Sequence, residues 1–163
     1  MTAASDTDTA AVAGRRSARV EPSLVVALLG LAISVYLTVE HFTSSTSLAC
    51  PEGAVVNCAK VTTSPYAQLL GVPVALLGLA YFLGMAALLL PAPWRRRALD
   101  PVRVVGVAVG VLMVLYLVWV ELFRVNALCL WCTGVHLCTV ALLPLVLWRV
   151  ADRDRNAAAT GTR

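Results

Sequence analysis

Four long apolar segments, separated by shorter polar ones, dominate the hydrophobic pattern of this chain. They cover Leu24–Phe42, Val72–Pro91, Val104–Phe123 and Cys129–Trp148. Each holds about 20 residues, which is enough for a helix rising about 1.5 Å per residue to cross a hydrocarbon layer about 30 Å thick. The pattern therefore predicts an all-α integral membrane protein, built as a bundle of four transmembrane helices.

Polar segments flank this apolar unit at both ends. We predict a disordered tail over residues 1–21 and a single membrane domain over residues 22–149. A second polar tail, frayed in structure, is predicted over residues 150–163. Hydrophobic residues make up 60% of the 163 positions and charged residues 13%, whereas a soluble domain has about 25% charged residues. The composition excludes a soluble domain as the main part of the chain.

The distribution of basic residues predicts the orientation of the four spans. Of the 13 Lys and Arg residues, only Lys60 and Arg124 fall on one side of a four-span arrangement. Because loops rich in Lys and Arg stay in the cytoplasm, both termini and the loop after the second span are expected there. The net charge of +4 is explained by this asymmetry and does not indicate a nucleic-acid partner. We expect a multi-pass protein of the plasma membrane.

The loop between the first and second spans is predicted to contain a short extracytoplasmic helix. Ser64 can cap this helix, Pro65 suits its first position, and Gly71 can end it after about two turns. The helix would serve as a connector between spans or as a lid over a site, and the sequence leaves both open.

Four of the five cysteines fall on the extracytoplasmic side, where disulfides form and persist. Cys50 and Cys58 lie in the long loop, and Cys129 and Cys132 form a C-x-x-C at the start of the fourth span. Residues three apart share a helix face, and a helix N-terminus stabilises a thiolate, so this pair suits reversible oxidation. Cys138 lies deeper in the span and is predicted to be a buried apolar residue.

The residues alone leave several interpretations of the cysteines open. Zinc is one, with His41 and His136 as further ligands, but the seven residues between Cys50 and Cys58 exceed the usual ligand spacing, so no metal is predicted. A non-enzymatic scaffold with structural disulfides is another. The pattern favours an electron relay, in which the loop pair exchanges with the C-x-x-C pair and electrons pass to a lipid-soluble quinone.

This sequence resembles the vitamin K epoxide reductase family in two stretches. They are "CPEGAVVNCAKVTTSPYAQLLGVPVALLGLAYF" and "VLYLVWVELFRVNALCLWCTGVH". Together with "ISVYLTVEH" in the first span, the similarity covers roughly Leu24 to Trp148. The resemblance implies four helices around a quinone, and an active site at the extracytoplasmic face that makes disulfides for secreted proteins.

The resemblance also implies a role for each of the four cysteines. Cys50 and Cys58 form the shuttle pair that takes electrons from a thioredoxin-like partner of the DsbA type. Cys58 then forms a mixed disulfide with Cys129, and Cys132 faces the quinone, which is menaquinone or ubiquinone. Enzymes of the DsbB type catalyse the same reaction with the cysteine pairs in the opposite chain order.

The sequence departs from the family pattern in three places. Many bacterial relatives carry a fused thioredoxin-like domain, whereas here the partner is expected in trans. Val74 fills a position that is often Asn, and is expected to line the quinone site without a hydrogen bond. His136 fills a position that is often Tyr and is expected to bind a quinone oxygen. Tyr116, on the third span, is a further candidate for quinone contact, with simple packing as the alternative.

Charged residues at the outer ends of the spans have two possible roles. Glu40 and His41 lie near the cysteine loop and either tune a thiolate or anchor the first span. Glu121 and Arg124 are three residues apart on the third span and can pair, which favours anchoring of the helix at the interface over the alternative, a role in the site.

Overall fold

The protein is mainly helical, and its helices follow the apolar segments of the sequence. The computed structural model describes residues 21–43, 50, 53, 55–159 and 161. The helices are α1 (Pro22–Thr43), α2 (Cys58–Thr62), α3 (Val74–Leu89), α4 (Pro91–Trp94), α5 (Asp100–Val120) and α6 (Leu130–Ala159). Single turns of 3₁₀ helix lie at Pro65–Ala67 and Arg97–Leu99, a π-helical turn follows α5 at Glu121–Val125, and a small hairpin pairs β1 (Gln68–Leu69) with β2 (Val72–Pro73). Almost all of the predicted N-terminal tail, residues 1–20, lies outside the described residues.

Within the described residues, three helical segments are long and apolar enough to cross a membrane. They are Pro22–Thr43, Arg97–Val125 and Leu130–Ala159. α3 is also apolar but has only 16 residues. Large apolar side chains such as Leu29 and Leu137 project outward, with 55% and 66% of their surface exposed. An outer surface of this kind suits lipid, in agreement with the prediction of an integral membrane protein.

α1 turns a row of mostly small residues towards its neighbours. Ser23, Ala27, Gly30, Ser34 and Leu37 are buried at alternating spacings of four and three, which places them on one face of the helix. Small side chains let helix backbones approach closely, as is common between helices in membranes. α1 accordingly packs on α3 and α6, and α5 packs on α6.

Two glycines let α3 pack closely between α1 and α5. A Cβ atom at Gly30 would lie 2.6 Å from Cδ1 of Phe82, and one at Gly110 would lie 2.9 Å from Cε2 of Tyr81. Both separations are too short for any side chain, so each glycine leaves room for one ring of α3. Tyr81 and Phe82 are adjacent and pack edge to face, with ring centroids 5.0 Å apart.

The main apolar core lies between the helices, towards the end of the bundle that is remote from the C-x-x-C pair. Cys138 belongs to this core and is 7% exposed, which confirms the prediction that it is a buried apolar residue. The other buried members are Ala27, Phe82, Met85, Ala86, Leu89, Val107, Leu142 and Val146.

Three arginines surround Trp94 at that remote end of the bundle. We call Trp94, Arg103, Arg149 and Arg153 the arginine cluster. The three guanidinium carbons lie 3.7 to 4.6 Å from the centre of the tryptophan ring, within the range of cation–π attraction. Arg103 has no exposed surface and Arg153 also pairs with Asp100, at 3.0 Å. The cluster thus ties α4, α5 and α6 together.

α6 continues beyond the predicted end of the fourth span. Its last residue is Ala159, although the sequence suggested a frayed tail from residue 150. Arg153 lies in this extension, where it binds Asp100 and donates a hydrogen bond to the carbonyl oxygen of Trp94. These contacts with α5 and α4 explain why the polar segment stays helical.

The predicted two-turn helix after Ser64 was wrong. Pro65–Ala67 forms one 3₁₀ turn, and the chain then enters the β1–β2 hairpin. Leu70 and Gly71 connect the strands with φ values of 53° and 82°, and positive φ at both central residues is typical of a tight hairpin turn. Ser64 makes no capping hydrogen bond to this turn; its hydroxyl donates to the carbonyl oxygen of Val61 instead.

Candidate functional site

A disulfide joins Cys50 to Cys58 in the loop between α1 and α3. The two Cα atoms are 6.2 Å apart, and Cys58, which is fully buried, is the first residue of α2. Asn57 caps this helix, because its side-chain oxygen accepts a hydrogen bond of 2.8 Å from the backbone N–H of Lys60. A five-residue helix has little stability of its own, so the cap and the disulfide fix the position of Cys58.

A short backbone bridge places Cys58 beside Cys129. Val56 pairs in parallel with Leu128. The N–H of Asn57 donates to the carbonyl oxygen of Leu128 at 3.0 Å, and the N–H of Leu128 donates to that of Val55 at 2.9 Å. The bridge therefore joins the residues that immediately precede the two cysteines. Cys58 and Cys129 are both fully buried at this junction.

Cys129 caps the N-terminus of α6 with its sulfur atom. The Sγ of Cys129 accepts a hydrogen bond from the backbone N–H of Cys132 at 3.3 Å, while its carbonyl oxygen accepts from the N–H of Thr133 at 2.9 Å. A hydrogen bond from the side chain of Cys132 lowers the pKa of the Cys129 thiol, with smaller help from the N–H groups of Cys132 and Trp131 and opposition from burial. This environment favours the Cys129 thiolate.

A large cavity opens beneath the loop cysteines. Its volume is about 780 Å³, within the range of small-molecule binding sites. The disulfide cysteines Cys50 and Cys58 lie at its wall together with Cys132, whereas Cys129 is not among the lining residues. Apolar side chains from α1, α3, α5 and α6 supply most of the remaining surface. The cavity thus connects two cysteine pairs with an apolar space between the helices.

The structure brings two of the three predicted quinone contacts to this cavity. His136 is 7% exposed and lines the cavity from α6, and Val74 lines it from the first turn of α3. Tyr116 is 42% exposed on the outer surface of α5 and is not among the lining residues. Glu40 and His41 lie at the cavity wall. Within the described part of the chain, no three His, Cys, Asp or Glu side chains form a metal-binding group.

Glu121 and Arg124 do not form the ion pair that their spacing allowed. Glu121 is 4% exposed and faces the cavity, whereas the Nε of Arg124 donates to the hydroxyl of Tyr66 at 3.0 Å. Both residues lie in the π-helical turn Glu121–Val125. This turn separates two side chains that an α-helix would place on the same face. Glu121 thus lies at the cavity wall, which agrees with the alternative that the sequence analysis did not favour.

Two cavity-lining residues that carry hydroxyl groups were also missed by the sequence analysis. Ser34 and Tyr81 line the cavity from α1 and α3, but both lie inside segments that are apolar on every side. In such segments a hydroxyl group gives no indication of whether it faces lipid or a cavity, because both surroundings are apolar.

We expect Asn57→Ala to loosen the segment that carries Cys58. Loss of an N-cap costs about 1 kcal/mol, so amide hydrogen exchange over residues 58–62 should rise about five-fold, as measured by mass spectrometry. Asn57→Asp keeps a capping oxygen and should exchange like the unchanged protein. Equal exchange in all three proteins would show that the cap does not hold this helix.

Comparison with known proteins identifies one family. The family model described as the Vitamin K epoxide reductase family matches residues 22–147, which include every cysteine and all the cavity-lining residues. A search of curated protein sequences gives no match.

Proposed function

Because the chain belongs to the vitamin K epoxide reductase family, which is a family of oxidoreductases, we propose that it is a membrane thiol:quinone oxidoreductase that generates disulfide bonds. One observation carries the proposal. The Cys50–Cys58 disulfide and Cys132 line the same cavity, and Cys129 is buried beside Cys58 where the backbone bridge joins the two segments. This arrangement suits transfer of electrons from one cysteine pair to the other.

The first transfer takes electrons from outside the protein. A dithiol of a thioredoxin-like extracytoplasmic partner reduces the Cys50–Cys58 disulfide to two thiols, and the partner leaves with a disulfide of its own. The thiolate of Cys58 next attacks the sulfur of Cys129 in an oxidised Cys129–Cys132 pair. A Cys58–Cys129 bond forms and Cys132 is released as a thiolate.

The second exchange returns the loop pair to its oxidised form. Cys50 attacks the sulfur of Cys58, the Cys50–Cys58 bond forms again, and Cys129 leaves as a thiolate. A thiolate with a lowered pKa is a better leaving group, and the pKa of Cys129 is lowered by its hydrogen bond from Cys132. Position supports Cys129, and not Cys132, as the partner of Cys58, because the backbone bridge joins the residues that precede Cys58 and Cys129, whereas Cys132 lies at the cavity wall.

Re-oxidation of Cys129 and Cys132 requires an acceptor for two electrons, and a membrane quinone supplies this by becoming the quinol. The residues present fit such a group: the cavity is large and mainly apolar, and Cys132 lies at its wall. His136 would hold a carbonyl oxygen through its ring N–H, and Val74 would contact the ring. Glu121, buried at the same wall, would accept the proton that a thiol releases.

The proposal includes a topology. α1, α3, α5 and α6 are the four spans, with both termini and the arginine cluster on the cytoplasmic side of the plasma membrane. Basic residues are retained on that side, which puts Cys50, Cys58 and the C-x-x-C pair at the outer face. Disulfides persist there, and a secreted partner can reach the loop pair.

The proposal is tested by anaerobic turnover of the purified protein in lipid nanodiscs. A reduced thioredoxin-like protein serves as electron donor, and menaquinone and ubiquinone analogues serve as acceptors in separate reactions. We expect the loss of quinone absorbance to match the partner disulfide formed, mole for mole. The absence of quinone-dependent oxidation with either acceptor would overturn the proposal and favour a scaffold with a structural disulfide.

A further inference from the structure

One carboxyl group in the cavity wall has no cation beside it. Glu121 is 4% exposed, and the part of its surface that stays accessible lines the cavity. Among the described residues its carboxyl group takes part in no ion pair, because Arg124, in the same π-helical turn, donates to the hydroxyl of Tyr66 instead. Burying a carboxylate without a cation costs free energy, so packing does not account for this residue.

The backbone after Glu121 brings the C-x-x-C pair close to this carboxyl group. The carbonyl oxygen of Glu121 accepts hydrogen bonds from the N–H groups of Asn126 and Ala127. Asn126 has a φ of 52° and ends the π-helical turn in the left-handed conformation. Cys129 follows only two residues after Ala127, and the carboxyl group of Glu121 interacts electrostatically with the sulfur atoms of both Cys129 and Cys132.

The other titratable groups at the cavity wall leave Glu121 without a fixed counter-charge. Within the part of the chain that the structure describes, no lysine or arginine lines the cavity. Apart from the cysteines of the loop disulfide, the titratable lining residues are Glu40, His41, Tyr66, Tyr81, Cys132 and His136. A carboxyl group that no cation holds in its charged form can take up a proton and release it again, directly or through cavity water.

We propose that Glu121 carries a proton from the thiol of Cys132 to the quinone, and that it acts only in the quinone half of the reaction. The inference rests on the proposed function, in which Glu121 accepts a thiol proton, and adds which thiol releases this proton and where the proton goes. Cys132 and Glu121 line one cavity, so a ligand in that cavity can be reached from both.

The protons and electrons of this step balance. Glu121 takes the proton of the Cys132 thiol, which leaves Cys129 and Cys132 as two thiolates. The Cys129–Cys132 bond then forms, two electrons pass to the quinone, and Glu121 gives its proton to one quinone oxygen. Water supplies the second proton, which completes the quinol. Glu121 returns to the carboxylate and is ready for the next thiol.

Glu121→Gln tests this inference, because glutamine has nearly the same volume but cannot carry a proton in this way. General acid–base catalysis contributes about 10²–10⁴-fold to a rate, so anaerobic reduction of menadione in nanodiscs should slow about 100-fold. Reduction of the Cys50–Cys58 disulfide by a reduced thioredoxin-like donor, followed without quinone by mass spectrometry, should stay within about two-fold. Equilibrium dialysis in a Cys132→Ser background, where no electrons are transferred, should give an unchanged affinity for menadione.

Asp152→Asn is the matched control, since it also removes one carboxylate, but from the exposed surface of α6. Its menadione turnover should stay within about two-fold of that of the unaltered protein. Menadione reduction in Glu121→Gln within about three-fold of the unaltered rate, a loss explained by weaker menadione binding, or an equal slowing of the first reduction would overturn the inference. The proposed function fails separately, if the unaltered protein itself reduces no quinone.

Discussion

Cys132→Ser should abolish quinone reduction, with a fall of at least about 1,000-fold in turnover, while the protein still folds and inserts. Serine has nearly the same volume, but it cannot form the Cys129–Cys132 disulfide that carries two electrons. Quinone absorbance followed anaerobically with a reduced thioredoxin-like donor measures the effect. Circular dichroism and gel filtration in detergent check the fold.

Cys138→Ser is the control for this experiment. Cys138 lies in the apolar core and takes no part in the proposed relay, so this variant should keep turnover within about two-fold, as a hydroxyl can bond to its own helix. A second variant, Cys132→Ala, should accumulate the Cys58–Cys129 mixed disulfide, seen as a cross-linked peptide by mass spectrometry. Full activity in Cys132→Ser would contradict the relay, and a trapped Cys50–Cys129 peptide would contradict its order.

Arg103→Met should lower the free energy of unfolding by about 3 kcal/mol. The guanidinium group of Arg103 is completely buried. It donates to the carbonyl oxygens of Leu88, at 3.0 Å, and Pro93, at 2.6 Å, and pairs with Asp100. Methionine fills a similar volume but leaves these acceptors without a donor. Unfolding in mixed micelles, followed by circular dichroism, gives the difference.

Arg97→Met provides the comparison, because Arg97 is exposed in the 3₁₀ turn that precedes α5. It should change the free energy of unfolding by less than about 0.5 kcal/mol. Equal stability of the two variants would show that Arg103 acts only as a positive charge at the membrane surface.

The positions of the long helices could be predicted from the sequence, and the boundaries at their polar ends could not. α1 differs from the first predicted span by only a few residues at its ends, because a lipid-spanning helix needs a continuous apolar run. α6 continues to Ala159 through contacts of Arg153 with α4 and α5. Such contacts join residues far apart in the chain, so local pattern gives no sign of them.

The cysteine pairs of the site were predictable because their chemistry is carried by residue type and spacing. The disulfide between Cys50 and Cys58 agrees with the pairing that the family resemblance implied. The short helix after Ser64 failed because capping signals are local, whereas Leu69 pairs with Val72 in the hairpin. The burial of Arg103 could not be predicted for a related reason. An arginine near the membrane interface indicates the orientation of its span whether its side chain is buried or exposed.

The close fit of α3 between two glycines has a consequence for ligand exchange. The rings of Phe82 and Tyr81 fit only where Gly30 and Gly110 leave out a side chain. A rotation of α3 about its axis would move both rings off these glycines at the same time. Both neighbouring helices therefore resist that motion, and α3 behaves as a fixed wall. The segment that covers the cavity, formed by α2 and the β1–β2 hairpin, is held instead by the Cys50–Cys58 disulfide, a few backbone hydrogen bonds and the contact between Arg124 and Tyr66. When the Cys50–Cys58 disulfide is reduced, we therefore expect movement that widens the cavity to occur in the segment that carries Cys58, which would couple ligand exchange to the position of this thiol.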